Sequence, residues 1–523
     1  MADTTKLVDE IEARVRPLEI AAGQAWWEAS NFVSDASEAR RVAADLALRE
    51  ALADRAAFGA VRDERGAAGH DPLVARRLDL LFDAMAPQQV GADLRTRTVE
   101  LEAEVDAAFN AFRGELDGRA VDDNEIAEIL RSSDDADERR RAWEASKQVG
   151  AQVATKVRDL ARLRNEAARS LGFRDHFALA LATSELDEDR LMATLAEVDD
   201  ATREPFALWK AELDEQLAQR FSCTPGELAP WHYDDPFFQE PPVSGAVDLD
   251  PVFATVDVEA LTIRTYDAIG LDIRPSLQRS DLYPRDAKSQ HAFCIDVDRS
   301  GDVRVLCNIT PNERWMGTML HEFGHAVYDL EVDRGLPWLL RTMHPLATEG
   351  IAMLFGRLQR DPAWLGAVAG LDPVALDEMR PALERSQRAA LLVFARWVLV
   401  MTNFERGLYA DPDADHDTRW WQLVERYQLV RPPAGRRAPD WAAKIHLAAA
   451  PVYYQNYLYG EMVASQLDAT LRARAGGLVD RPEAGAHLVE HVFEPGASMR
   501  WDHLIEAATG EPLTARHLAR QLS

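Results

Sequence analysis

Two histidines four residues apart, with a glutamate beside the first, are the residues of this chain best suited to chemistry. They are His321, Glu322 and His325, within the stretch TMLHEFGHAVYDL. On a helix, residues i and i+4 leave the same face about one turn apart, so both imidazoles can bind one zinc ion. Glu322 lies beside that face, where its carboxylate can take a proton from an attacking water. The alternative, a chance arrangement of polar residues on a helix face, stays open at this point.

A catalytic zinc site needs a third protein ligand and an open position. The longer HExxHxxGxxH signature is absent, because Tyr328 and Glu331 occupy the positions of its glycine and its final histidine. A second amphipathic stretch, LATEGIAMLFGRL, carries Glu349 near its start. A carboxylate from an adjacent helix is a suitable ligand, so Glu349 is the candidate. The alternative is a solvated glutamate near a helix N-terminus.

The segments around these residues have mainly helical periodicity. Apolar residues recur at i, i+3 and i+4 in residues 37–58, 94–116 and 187–221, with Ser184 or Asp187 as the cap of the last helix. The exception is HAFCIDVDRSGDVRVLCNI (291–309), which predicts two strands around a turn at Ser300 and Gly301. This turn would pair Cys294 with Cys307. The sequence therefore predicts a mostly α fold with a small β-hairpin before the histidine helix.

Charge and composition restrict the partners. The 523 residues include 59 Lys and Arg against 88 Asp and Glu, a formal net charge of −29, which argues against nucleic acid or an anionic membrane as a partner. No apolar run reaches the length of a membrane span, and the N-terminus lacks a signal-peptide pattern. The sequence predicts a cytoplasmic protein. Its three cysteines, Cys223, Cys294 and Cys307, agree with reduced thiols.

Several longer stretches resemble one known family. They are AWEASKQVGAQVATKVRDLARLRNEAARSLGFRDH (142–176), QHAFCIDV (290–297) and WWQLVERYQLVRPPAGRRAPDWAAKIHL (420–447). With the HExxH motif and Glu349, they resemble the peptidyl-dipeptidase A (angiotensin-converting enzyme) family of gluzincin zinc metallopeptidases, with a related likeness to thimet-type oligopeptidases. The resemblance implies a large helical ellipsoid with a deep central channel, formed by one peptidase unit over 1–523. Lid helices would span 1–140, and residues 141–523 would form the channel walls and the zinc site.

The resemblance also implies roles for individual residues. His321, His325 and Glu349 would bind zinc, and Glu322 would be the general base. The remaining matches are His291 and Ala292 for the substrate backbone, Lys444 and Tyr454 for the substrate's C-terminal carboxylate, His446 for the scissile region and Tyr457 for the oxyanion. Two alternatives stay open. Tyr453 with Tyr457 is a rival tyrosine pair, and Lys444 could extend to solvent instead of binding a carboxylate.

The chain departs from the family pattern at several positions. The spacing from His446 to Tyr457 is one residue longer. Asn456 and Val424 replace arginines that bind chloride in the animal enzymes, so we expect little chloride activation. The family's carboxylate-binding glutamine is expected to be absent near APWHYDDPFF, with Tyr233 in its approximate place. Met353 replaces an aspartate that orients a zinc-bound histidine, so another group must do this.

The sequence thus predicts a zinc peptidase that hydrolyses short peptides and releases C-terminal dipeptides. The alternatives are an endo-acting oligopeptidase of the thimet type, a carboxypeptidase of the thermostable Taq type, and a catalytically silent peptide-binding relative. The intact Glu322 disfavours the silent relative, because a protein that only binds peptides needs no general base.

Overall fold

Helices account for most of the computed structural model, which describes residues 2–242, 248–289 and 291–522. The predicted mostly α class with a small hairpin is confirmed. The helices and strands, in chain order, are α1 (Ala2–Asn31), α2 (Asp35–Leu52), α3 (Arg55–Arg65), α4 (Pro72–Met85), α5 (Ala92–Ala111), β1 (Gly114–Leu116), β2 (Arg119–Val121), α6 (Asp123–Ser132), α7 (Ala136–Ser170), α8 (His176–Ala182), α9 (Glu188–Arg220), α10 (Asp250–Phe253), α11 (Val258–Asp267), α12 (Arg274–Leu277), β3 (Phe293–Asp296), β4 (Val303–Leu306), α13 (Glu313–Glu331), α14 (Pro345–Gly356), α15 (Pro362–Ala367), α16 (Pro373–Ala410), α17 (His416–Gln428), α18 (His446–Ala449), α19 (Tyr454–Ala475), α20 (Pro482–Leu488), α21 (Trp501–Thr509) and α22 (Arg516–Leu522).

The chain divides into two compact units. Unit 1 comprises Met1–Gln89, Val247–Leu383 and Tyr459–Leu518, and unit 2 comprises Val90–Ala246, Glu384–Leu458 and Ala519–Ser523. The HExxH helix α13 belongs to unit 1, and α18 with the Lys444 segment belongs to unit 2. The prediction of one peptidase unit over 1–523, with lid helices in 1–140, is not tested by this division and stays a prediction.

The hairpin β3–β4 exists, but its predicted register is wrong. Cys294 lies opposite Val305 rather than Cys307, which follows the end of β4. The turn is centred one residue earlier than predicted, because the Asp298 carboxylate accepts hydrogen bonds from the Ser300 and Asp302 amides at 2.8 and 3.1 Å. This side-chain interaction selects the turn and therefore the register. All three cysteines are free thiols.

A second hairpin was missed by the sequence analysis. The helical periodicity of residues 94–116 predicts a helix to the end of that stretch, but α5 ends at Ala111 and β1 pairs antiparallel with β2. Asp117 and Gly118 join the strands with φ of 53° and 79°. This conformation suits an Asp-Gly turn, so the dipeptide was the available signal. Of the two caps predicted for the start of α9, Ser184 and Asp187, the structure has Asp187, which accepts a hydrogen bond from the Arg190 amide.

Among the described residues, every helix is too short or too polar to cross a lipid bilayer.

Candidate functional site

The helix that carries the HExxH motif is fixed at its start and along one face. The Asn312 side chain caps α13 by accepting a hydrogen bond from the Trp315 amide at 2.9 Å. The core-facing side of α13 consists of apolar residues that are fully buried. On α11, the Tyr266 hydroxyl donates a 2.6 Å hydrogen bond to the carbonyl of Leu320. These contacts leave His321 and His325 on a half-buried face.

Glycines allow α14 to pack closely against the histidine helix α13 on one side and against α19 on another. A Cβ atom added to Gly324 would lie 2.9 Å from the Cα atom of Ala352 on α14. A Cβ atom on Gly350 would lie 2.4 Å from a methyl carbon of Val463 on α19. A side chain at Gly324 would collide with the α14 backbone, so this glycine permits the close packing of α13 and α14 that brings Glu349 to the histidines. A side chain at Gly350 would collide with the Val463 side chain.

Three side chains of unit 1 form a possible metal site. One ligand atom from each of His321, His325 and Glu349 lies within 4.8 Å of the others. The Nε2 atom of His321 is 3.8 Å from Oε2 of Glu349, and the two imidazole rings are 5.0 Å apart. Two imidazoles and a carboxylate form a donor set suited to a catalytic zinc ion with one position left open.

The protonation of the histidines also fits a metal. Burial lowers the pKa of His321 to about 4, and burial together with His321 lowers the pKa of His325 well below its ordinary value. Both imidazoles are therefore neutral at physiological pH, as metal ligands must be. The residues present fit the zinc ion that the sequence predicts.

Glu322 lies beside this cluster and is only 7% exposed. Burial and the charge of Glu349 raise the pKa of Glu322 to about 8. A dication held by the cluster would act in the opposite direction, because a positive charge favours the carboxylate. A carboxylate whose pKa lies near the working pH can both accept and return a proton.

A hydroxyl lies against one of the two histidines and is placed to orient it, a role expected of another group because Met353 replaces an aspartate. The Nδ1 atom of His325 is 2.5 Å from the Thr348 hydroxyl, which leaves Nε2 for a metal. Thr348 immediately precedes Glu349, so one turn of α14 supplies both a ligand and the group that orients another. Sequence reasoning missed Thr348, because the pairing depends on how α13 and α14 pack.

The predicted substrate-backbone residues lie just before the hairpin strand. The strand β3 begins at Phe293, after both His291 and Ala292. His291 is exposed and Ala292 is half-buried. Their role in binding substrate stays a prediction.

In unit 2, Lys444 has a partner that the sequence analysis declared absent. Its ammonium donates a 2.8 Å hydrogen bond to the side-chain oxygen of Gln239. The Gln239 amide in turn donates to Asp235 at 3.2 Å. The expectation that Tyr233 stands in place of a glutamine is wrong, because the Tyr233 hydroxyl is buried against Lys210 and Asp214. A glutamine, Gln239, follows six residues after Tyr233, directly after the APWHYDDPFF stretch.

Aromatic rings surround the Lys444 ammonium. It lies 5.4 Å from the ring centres of Phe237 and Trp397 and 5.9 Å from that of Tyr454. Burial lowers the pKa of Lys444 to about 8, against the opposing charges of Asp235 and Glu240. The Lys444 ammonium therefore lies among protein side chains. This placement contradicts the alternative in which Lys444 extends to solvent.

The predicted tyrosines and histidine contact one another, and Tyr454 lies near this lysine. The Tyr454 ring lies 5.0 Å from that of His446 and 5.6 Å from that of Tyr457. Tyr453 also contacts Tyr457, at 5.1 Å, so both tyrosine pairings of the sequence analysis occur as contacts. Of Tyr453 and Tyr454, it is Tyr454 whose ring lies near the Lys444 ammonium, and Tyr454 is only 4% exposed. Tyr457 is half-buried.

Two buried charged residues hold the segment that follows His446. The Arg164 guanidinium donates hydrogen bonds to the carbonyls of Leu447 and Ala448 at 3.0 and 2.5 Å. The Glu405 carboxylate accepts a 2.7 Å hydrogen bond from the amide of Val452, whose φ of 55° is left-handed. The left-handed conformation of Val452 is strained, and its buried hydrogen bond to Glu405 offsets this strain. The same hydrogen bond holds the backbone in place just before Tyr453 and Tyr454.

The fold and the clusters define a mostly helical protein in which an HExxH helix and a glutamate from the next helix lie close enough to share one metal ion. The profile of the angiotensin-converting enzyme family, peptidase M2, matches residues 1–206 and 283–520. The chain belongs to this family.

Curated relatives match a shorter part of the chain. Angiotensin-converting enzyme of Rattus norvegicus is 24% identical over 239 residues, which are 42% of this chain and 18% of the rat protein. Angiotensin-converting enzyme of Theromyzon tessulatum is 25% identical over 244 residues, which are 44% of this chain and 39% of that protein. The matched segments cover less than half of either relative.

Proposed function

We propose that the protein is a zinc-dependent peptidase that releases dipeptides from the C-terminus of short peptides. The observation that supports this most directly is the cluster of His321, His325 and Glu349 with Glu322 beside it, in a chain of the peptidase M2 family. Zinc, when bound, supplies a Lewis acid that polarises the scissile carbonyl and lowers the pKa of water.

The side chains of the protein move the proton. Glu322 takes a proton from the attacking water as its oxygen bonds to the carbonyl carbon, and returns the proton to the amine when the C–N bond breaks. Tyr457 and His446 donate hydrogen bonds to the negative oxygen that develops on the carbonyl. The roles of Tyr457 and His446 rest on family membership.

The lysine cluster is the proposed anchor for the end of the peptide. A partly desolvated ammonium beside an amide and a phenol suits a carboxylate, because charge-assisted hydrogen bonds are strong where water is excluded. Lys444, Gln239 and Tyr454 would bind the free C-terminal carboxylate of the substrate. Gln239 strengthens this anchor relative to what the sequence alone suggested.

The first test separates binding from chemistry with Glu322→Gln. We expect this variant to keep one zinc per chain and the wild-type melting temperature, but to lose about 10²–10⁴-fold in kcat, because an amide cannot accept the proton. Zinc is measured by atomic absorption and turnover with a quenched fluorescent peptide. Near-wild-type turnover would contradict the role of Glu322. If the wild type binds zinc but hydrolyses no peptide, the protein is a silent peptide-binding relative.

The second test compares a peptide that has a free C-terminus with its amidated twin. Mass spectrometry should show dipeptide release from the free acid and much slower cleavage of the amide. In Lys444→Met, which keeps apolar volume between the rings, the preference should disappear. Equal cleavage of both peptides at internal bonds would identify an endo-acting oligopeptidase instead.

A further inference from the structure

The outer edge of β3 has main-chain groups available for another strand. The Val297 amide donates to the Asp302 carbonyl across the turn, and the hydrogen-bonded pairs of an antiparallel ladder alternate. The N–H and C=O groups of Cys294 and Asp296 therefore point away from β4. Within the part of the chain that the structure describes, no backbone hydrogen bond reaches this edge. An extended peptide can add to it as a third strand.

The two faces of β3 contact different helices. β3 packs against the metal-binding helix α13 on one face. The charge of Glu322 on that helix contributes to raising the pKa of the Cys294 thiol, after burial and the charge of Asp329. On the other face, α1 covers Phe293 and Ile295, and a Cβ atom on Gly23 would lie 3.5 Å from the Ile295 side chain. Successive side chains of a strand alternate between such faces.

Two neighbouring tryptophans of α1 contact Phe293 in different ways. Trp27 meets the Phe293 ring edge-on at 6.0 Å and also lies 5.5 Å from the Arg304 guanidinium, so it covers the side of β3 that is paired with β4. Trp26 stacks on the same ring at 4.5 Å with an interplanar angle of 19°. Consecutive residues of a helix are about 100° apart, so Trp26 is turned toward the open edge.

Trp26 keeps a large apolar surface uncovered at this place. Its exposed fraction is 41%, although one face of its indole is occupied by Phe293. An aromatic pair with one exposed ring, next to an open strand edge, can bind an apolar side chain of a strand that is added there.

We infer that Trp26 and Phe293 form a specificity subsite for a large apolar or aromatic side chain of the peptide substrate. The inference rests on the proposed peptidase function and adds a residue preference to it. In a peptide strand beside β3, every second side chain faces α13 and the metal cluster, and the side chains between them face α1. Trp26 would contact the second set, so the preference should appear at one position and not at its two neighbours.

The test uses peptide binding, so it does not depend on turnover. A set of free-acid peptides carries a single Phe-for-Ala exchange at each position in turn, and calorimetry measures their Kd with Glu322→Gln protein. We expect the exchange to tighten binding about tenfold at one position. Adding Trp26→Ala should remove most of this gain, and Trp26→Phe should restore part of it. Leu46→Ala on α2, which removes an equally exposed side chain, is the matched control.

The outcomes separate the inference from the proposed function. An unchanged Phe preference in Trp26→Ala, at an unchanged melting temperature, would overturn the subsite. A gain spread evenly over neighbouring positions would also overturn it, because it would show no strand alternation. Trp26→Ala could remove the Phe preference in the binding assay while the wild-type protein cleaves none of the peptides. This result would support the subsite and contradict the peptidase function.

Discussion

The metal cluster and the lysine cluster are built in different ways. His321, His325 and Glu349 come from α13 and α14, helices that follow each other in the chain. Lys444 and Gln239, which share a hydrogen bond, are 205 residues apart. The first cluster follows from helix periodicity and a single helix–helix contact. The second exists only when distant segments meet, so its members are much harder to recognise in a sequence.

Burial has opposite chemical meanings in the two clusters. In the metal cluster, burial lowers the pKa of both histidines and keeps them neutral, which favours a bound cation. In the lysine cluster, burial destabilises the Lys444 cation and lowers its pKa, which favours a bound anion that restores the lost interactions with water. The comparison predicts a metal ion at one cluster and a carboxylate at the other.

The largest expected effect comes from removing a metal ligand. Glu349→Ala should abolish tight zinc binding and peptidase activity, because the two histidines alone form a weak, exposed site. Zinc content after dialysis against a weak chelator measures this. Glu378→Ala, an exposed glutamate of α16, is the control and should bind one zinc per chain. Stoichiometric zinc in Glu349→Ala would show that another residue is the third ligand.

A smaller effect is expected from the hydroxyl that orients His325. Thr348→Val keeps the side-chain shape but removes the hydrogen bond, so zinc affinity should fall by about 10–100-fold. Competition with a chromophoric chelator gives the affinity. Thr318→Val on α13, whose hydroxyl bonds only to its own helix among the described contacts, should leave the affinity unchanged. Equal affinities for Thr348→Val and wild type would remove Thr348 from the metal site.

Gln239 provides the corresponding test of the lysine cluster. In Gln239→Ala, the KM for a free-acid peptide should rise about tenfold, because the amide that accepts from Lys444 is lost while the charge remains. The amidated twin should be unaffected. Gln216→Ala, on the exposed side of α9, serves as the matched variant. A similar KM change for both peptides would mean that Gln239 stabilises the fold rather than the anchor.

The pH dependence distinguishes the two clusters. Because burial lowers the pKa of Lys444 to about 8, its ammonium is charged below that pH and neutral above it. The kcat/KM ratio of free-acid to amidated peptide should therefore fall as pH rises through about 8, up to tenfold per pH unit. The ratio cancels titrations near the metal, which affect both peptides alike. A ratio that stays constant to pH 10 would remove Lys444 from carboxylate recognition.

The smallest effect is expected from chloride. Val424 is apolar and lines a cavity of about 20 Å³ together with Asp440. The Asp440 carboxylate already accepts hydrogen bonds from Arg436 at 2.7 and 2.8 Å, so this guanidinium is paired with an acid and is poorly placed to bind an added anion. Activity at constant ionic strength should change little when chloride replaces acetate. Strong stimulation by chloride would show that another cation, such as Lys147 in the same cavity, binds it.

The sequence by itself determined the features that depend on local spacing. The i, i+4 histidines required only that α13 be helical, and the helical periodicity predicted the α class for the same reason. Asp187 was one of the two predicted caps, because a side chain that bonds to an amide three residues away depends only on the local chain.

Only the tertiary structure decided the features that depend on distant or competing contacts. The Asp298 carboxylate set the turn of the β3–β4 hairpin one residue earlier, so that Cys294 pairs with Val305 instead of Cys307. The strand pattern could not reveal this shift. Gln239 became the partner of Lys444, and Thr348 the partner of His325, through packing between separate segments. The sequence lists the groups able to form such hydrogen bonds, but side-chain bonds over long separations are selected by how the backbones pack.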